Sequence, residues 1–181
     1  MKNLPLMQIA AFFLKNPYTE IYLRQLAKEL KLSPYSVMRN IDLLIKENLI
    51  KEERRANLRY FKADTDGLFF RHLKIAFNVG TLSKTGIIDF LKENISNISS
   101  IVLFGSIAKG EDDKKSDVDM LVIGKEKYFD LGQFEEKLGR RITLHVYSWS
   151  DWNKKAKQDS AFYYDIISYG IPLYGELPIM R

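Results

Sequence analysis

The sequence predicts an α+β protein in two parts: a helical first part closed by a hairpin, then a small α/β domain with a mixed sheet flanked by helices. Three observations carry this. Apolar residues recur at helical spacing from Leu4 to Ile45, two apolar runs flank a polar connection between Ile101 and Ile123, and positive charge is concentrated early in the chain. Residues 1–80 hold 14 Lys and Arg against 8 Asp and Glu, whereas residues 81–181 hold 14 against 15. An anionic partner such as nucleic acid is therefore expected on the first part.

The composition, 46% hydrophobic and 28% charged, suits a packed chain and excludes disorder as the dominant state. No run approaches the roughly 18 apolar residues of a membrane span, so no membrane partner is expected. The opening MKNLPLMQIAAFFLKNPYTE has an apolar middle, but Gln8 interrupts it and no small-residue cleavage site follows, so it reads as a helix. With no cysteine, thiolate metal sites, disulfides and cysteine nucleophiles are all excluded, which fits a cytoplasmic location.

In chain order, Leu4, Met7, Ile9, Ala10, Phe13 and Leu14 form one helix that Asn16-Pro17 stops. A second helix is expected from Thr19 or Glu20, with Ile21, Leu23, Leu26, Ala27 and Leu30 as its apolar stripe. Ser33-Pro34 caps a third, because serine is a favoured N-cap and proline is tolerated at the first helical position. That helix buries Val37, Ile41, Leu44 and Ile45 and turns Tyr35, Ser36, Arg39 and Asn40 outward. Two helices joined by a short turn, the second presenting polar and cationic residues, is the geometry that places a helix in a major groove. The stretch IKEERRANLRYFKAD then reads as a hairpin with Ile50 and Tyr60-Phe61 inward and Arg54, Arg55 and Arg59 projecting.

The run LRQLAKELKLSPYSVMRNIDLLIKENLIKEERRANLRYF resembles the winged helix-turn-helix domains of prokaryotic transcriptional regulators. The resemblance implies DNA as a partner and a homodimer on paired half-sites. Arg54, Arg55 and Arg59 would contact phosphate, while Tyr35, Ser36, Arg39 and Asn40 would read bases. The domain is expected over 1–66, followed by a linker helix over 67–83 that starts at Asp66-Gly67 and stops at Gly80. His72, alone between Arg71 and Leu73, reads as structural.

The third segment, 84–181, opens with a helix carrying Ile87, Ile88, Leu91 and Ile95. Ser100 to Phe104 is a strand without charge, as a central strand buried on both faces requires. It ends at Gly105-Ser106, where glycine allows close backbone approach and a strand-to-helix corner offers a hydroxyl and N–H groups to an anion. Asp117 and Asp119 follow on the next strand, two apart and so on one face. Like charges there call for neutralisation, which a hard divalent cation supplies best. RITLHVYSW reads as a third strand, and Ser150 as the N-cap of a closing helical stretch.

LFGSIAKGEDDKKSDVDMLVI resembles the signature of the minimal nucleotidyltransferases of the DNA polymerase beta superfamily, and FYYDIISYGIPLYGE resembles their closing helix and strand. The resemblance implies that Gly105 and Ser106 hold a nucleoside triphosphate, with Lys109 and Ser116 assisting. It implies that Asp117 and Asp119 are catalytic and bind Mg2+ or Mn2+. Active members carry a third carboxylate on a later strand; here that strand has His145 as the nearest substitute. Two functions follow as expectations. One is Mg2+-dependent transfer of a nucleoside monophosphate from NTP to a hydroxyl, with a small helical toxin-like protein as one possible acceptor. The alternative is a DNA-binding transcriptional regulator whose nucleotidyltransferase domain binds nucleotide or metal but is catalytically impaired.

Overall fold

The computed structural model describes residues 4–125 and 129–180. The chain forms two compact units, Met1–Lys74 and Ile75–Arg181. Among the described residues no helix is long and apolar enough to cross a membrane.

In the first unit, helix α1 (Pro5–Lys15) starts on a proline and ends where the Asn16 side chain donates to the Phe12 carbonyl at 2.7 Å. Strand β1 (Ile21–Tyr22), helix α2 (Leu23–Leu30) and helix α3 (Pro34–Lys46) follow, then strands β2 (Ile50–Arg55) and β3 (Leu58–Ala63). Ser33 caps α3 by accepting from the Ser36 amide at 3.1 Å. The three strands form an antiparallel sheet in the order β1-β3-β2. Ile9, Phe13, Leu26, Val37, Ile41 and Phe61 are among the residues that helices and sheet bury. This is the helical part with its hairpin.

Two expectations change here. Ile21 is buried, but in β1 rather than in a helix, paired with Phe61 while Tyr22 meets the Tyr60 ring edge-on at 6.2 Å. A β-branched and an aromatic residue beside an available strand favour the ladder, so α2 begins only at Leu23. Helix α4 (Leu68–Ser83) runs through Gly80 instead of stopping there. A helical glycine costs about 1 kcal/mol relative to alanine, and Leu82, buried in the core of the second unit, offsets that.

The second unit continues with α5 (Ile87–Asn94), β4 (Ser96–Phe104), α6 (Gly105–Lys109), β5 (Val118–Lys125), α7 (Gly132–Leu138), β6 (Ile142–Tyr147), α8 (Trp149–Gln158), α9 (Ser160–Tyr169) and β7 (Ile171–Gly175). The sheet order is β6-β5-β4-β7, with β4 antiparallel to both neighbours and β5 parallel to β6, so the sheet is mixed. Strand alternation sends Ile101, Leu103, Met120 and Val122 to a core with Ile87, Leu91 and Phe134. It sends Val102, Phe104, Leu121 and Ile123 to the other face, against Trp152, Ala156 and Ile166. The expected central strand is central, although it starts at Ser96 rather than Ser100. Helix α8 is capped by Ser148, not Ser150: the Ser148 hydroxyl accepts from the Asp151 amide at 3.1 Å and donates to the Asp151 carboxylate at 2.7 Å. That reciprocal pair fixes the start two residues earlier.

Candidate functional site

The site grows from the end of the β4–β5 pair. Phe104, the last residue of β4, pairs with Asp119, so the corner that follows lies beside that carboxylate. Gly105 sits at φ +72°, and a Cβ there would stand 2.5 Å from Asp119 Oδ2. Glycine suits the left-handed backbone, and a side chain here would force the Asp119 carboxylate to move. Ser106 follows in α6, a five-residue helix whose first amides have no partner within it. Asp117 immediately precedes β5, two residues before Asp119, and its charge reaches that carboxyl.

The two carboxylates are half-buried, and among the described residues neither takes part in a hydrogen bond or salt bridge. The Asp119 carboxyl is pushed above the usual carboxylate range, first by burial and then by the charge of Asp117, while His145 acts in the opposite direction. Two carboxylates are donors of the kind a hard divalent cation takes. Mg2+ is commonly held by one or two carboxylates together with substrate phosphates, so two acids beside a glycine corner are compatible with it. Among the described residues, no third His, Cys, Asp or Glu joins them in a cluster able to hold a metal ion.

Residues 85–177, from the end of α4 to beyond β7, match the family model described as polymerase beta, nucleotidyltransferase. The chain belongs to this nucleotidyltransferase family. No curated protein matches it. Among solved structures, "Crystal structure of the toxin-antitoxin with AMP-PNP" is 22% identical, covering 50% of this chain and 71% of its own, with a TM-score of 0.38. A toxin-antitoxin MntA-HpeT mutant is 19% identical over 50% and 70% of the respective chains, with a TM-score of 0.36. Reduced HlyU from Vibrio cholerae N16961 is 19% identical over 41% and 73%, with a TM-score of 0.33.

In this member of the family the loop between α6 and β5 is tied down by two neighbouring aspartates. Asp112 is fully buried; it accepts from the Asn78 amide group at 2.8 Å and pairs with Arg140 at 2.8 Å. Asp113 accepts from the amides of Lys115 and Ser116 at 2.8 and 3.0 Å, and these bonds hold its carboxyl below the usual range. Asn78, Asp112 and Arg140 had no functional signal in the sequence. Within the acidic run GEDDKKSD, nothing local shows which aspartate turns inward.

The remaining expected site residues are distributed as follows. The Ser116 hydroxyl is engaged inside the loop, donating to Asp113 at 3.1 Å and accepting from the Asp113 amide at 3.0 Å. Lys109 pairs with Asp165 of α9 at 2.5 Å and lies over the Tyr169 ring at 5.0 Å. Both groups are engaged by these neighbours. On β6, Thr143 is the residue paired with Asp119, and His145 pairs with Leu121 farther along. The His145 ring packs 5.6 Å from Phe104 and 5.8 Å from Phe162.

On the first unit, α3 presents Tyr35, 68% exposed, with Arg39 also exposed and Ser36 and Asn40 half-buried. The Asn40 amide group donates to the Ser36 carbonyl at 2.7 Å, so it is committed to its own helix. The hairpin arginines do not stand apart from acids. Arg54 meets Glu52 at 2.9 Å, Arg55 meets Glu20 at 2.7 Å and Glu53 at 2.8 Å, and Arg59 meets Asp42 at 2.6 Å and Glu52 at 2.7 Å. Arg59 departs most from the expected projection, because its side chain is only 26% exposed and ties β3 to α3.

Proposed function

We propose that the second unit transfers a nucleoside monophosphate from an NTP to a hydroxyl acceptor, and that the first unit binds DNA. The observation that supports the first part is the approach of Gly105 to Asp119, which brings the strand-to-helix corner beside a carboxylate. In the reaction, the acceptor oxygen forms a bond to the α-phosphorus as the bond to the β-phosphate bridge breaks. Pyrophosphate leaves, and the hydroxyl proton passes to water. Asp117 and Asp119 would hold a divalent cation, Mg2+ or Mn2+, which neutralises phosphate charge and polarises the phosphoryl group when bound. Gly105 and Ser106 position the phosphates with backbone N–H groups and the serine hydroxyl. The buried Asp112–Arg140 pair keeps the loop leading to Asp117 in place.

A second reading has its own observation: β6 sets Thr143, not an acid, beside Asp119. In that reading the unit binds nucleotide or metal without turnover and informs a DNA-binding regulator. Incubation of the full chain with Mg2+, α-phosphate-labelled NTPs and candidate acceptors, a small helical protein encoded nearby among them, separates the two. Label transferred by the native chain and lost in Asp117→Asn supports the enzyme. Nucleotide binding that changes DNA affinity without any transfer supports the sensor and overturns the enzyme.

A further inference from the structure

The hairpin of the first unit carries three arginines, yet four carboxylates face them. Arg55 is the most fully occupied. Its Nη1 and Nη2 donate to the two carboxylate oxygens of Glu20 at 2.7 and 2.9 Å, and its Nε and Nη2 donate to the oxygens of Glu53 at 2.8 and 2.9 Å. The guanidinium also lies over the Tyr60 ring, 5.1 Å from its centroid. These groups are on the surface: the side chains of Arg55, Glu20 and Glu53 are 51%, 32% and 47% exposed. Arg59 differs, since Glu52, 19% exposed, and Asp42 hold it in a more enclosed brace.

A two-pronged carboxylate on a guanidinium occupies the same planar fork that a phosphate uses. Glu20 precedes β1, whereas Arg55 ends β2, so the pair joins two separate segments across the sheet. Because both partners reach water, exchanging one anion for another does not expose a buried charge. We infer that Glu20 is an intramolecular latch on the DNA-binding surface: it occupies Arg55 until a phosphate of duplex DNA displaces it. This rests on the DNA-binding reading of the first unit. The latch sets affinity by competition, and removing Glu20 frees the Arg55 Nη1 edge, which Glu53 does not engage.

Loss of any acid near DNA also reduces general repulsion, so a single variant does not suffice. The test is a double-mutant cycle on the full chain, with a labelled duplex of mixed sequence followed by fluorescence anisotropy across a salt series. Glu20→Gln is expected to tighten binding about two- to fivefold at low salt, the upper part of the range that an exposed ion pair allows. Arg55→Ala weakens binding, and Glu20→Gln then has no further effect in the Arg55→Ala chain. Tightening of equal size with and without Arg55 overturns the latch in favour of general repulsion, as does a Glu20→Gln chain that binds no tighter than the native one. If the native chain does not bind the duplex, or binds it as tightly as Arg54→Ala and Arg55→Ala chains, the DNA-binding reading itself falls. Thermal unfolding of each variant confirms that the first unit is folded.

Discussion

Glu52 shows how one residue serves structure where its neighbours suggest an interface. Its carboxylate accepts from Arg59 Nε at 2.9 Å, Arg59 Nη2 at 2.7 Å and Arg54 Nε at 2.9 Å. These bonds, those from Arg59 first, lower its pKa to about 2. A carboxyl whose folded pKa lies below its unfolded value stabilises the fold above the unfolded value. That contribution disappears as pH falls through the folded value. Glu52→Gln should therefore cost about 1 kcal/mol near neutrality, after allowance for solvent screening. The gap between native and variant unfolding should narrow from about pH 4.5 and close near pH 2. A gap that is flat across this range would show that the Arg59 network does not act through charge. Gly105, Asp117 and Asp119 stood out in the sequence because their spacing is local and their chemistry has few structural uses, and the structure sets Gly105 beside Asp119. Lys109 and Ser116 kept their positions but have partners that spacing alone cannot show: Lys109 meets Asp165 of another helix, and Ser116 closes its own turn.

At the scale of elements, strands and helices with strong apolar patterns were placed correctly, and boundaries moved where a tertiary partner intervened. Ile21-Tyr22 joined a ladder because β3 offered one, and α4 continued past Gly80 because Leu82 had a core to enter. The loop between α6 and β5 was the least legible element, since its anchor lies outside it. Asp112 meets Asn78 on α4 and Arg140 just before β6, residues that only the fold brings together. Asp112→Asn keeps the shape and removes the charge, leaving Arg140, only 16% exposed, without its carboxylate. Breaking one side of a buried ion pair typically costs 3–5 kcal/mol, so a loss of about 3 kcal/mol is expected in urea unfolding of the full chain. A change below about 0.5 kcal/mol, the range of ordinary surface substitutions, would contradict an anchoring role for this pair.

At the scale of the whole molecule, two units with different charge balance occur in one chain. The excess of positive charge in residues 1–80 pointed to an anionic partner, but the structure shows that much of it on the hairpin is answered by Glu20, Asp42, Glu52 and Glu53. Net charge was visible in the sequence; its pairing was not. For the second unit the match over residues 85–177 agrees with the sequence reading, and the mixed sheet supplies the frame on which the corner and the carboxylates meet. What the sequence left open was the neighbour of that site, and the β5–β6 register answers it with Thr143. The central claim is that Asp117 and Asp119 together form a cation site at the Gly105-Ser106 corner. Its most direct test is a titration of the full chain with Mn2+ alone, following the free-ion signal by electron paramagnetic resonance. Native protein should remove Mn2+ from solution, and Asp117→Asn and Asp119→Asn should each weaken that binding at least about tenfold, as expected when one of two carboxylate ligands is lost. Native binding that both variants retain would contradict the account.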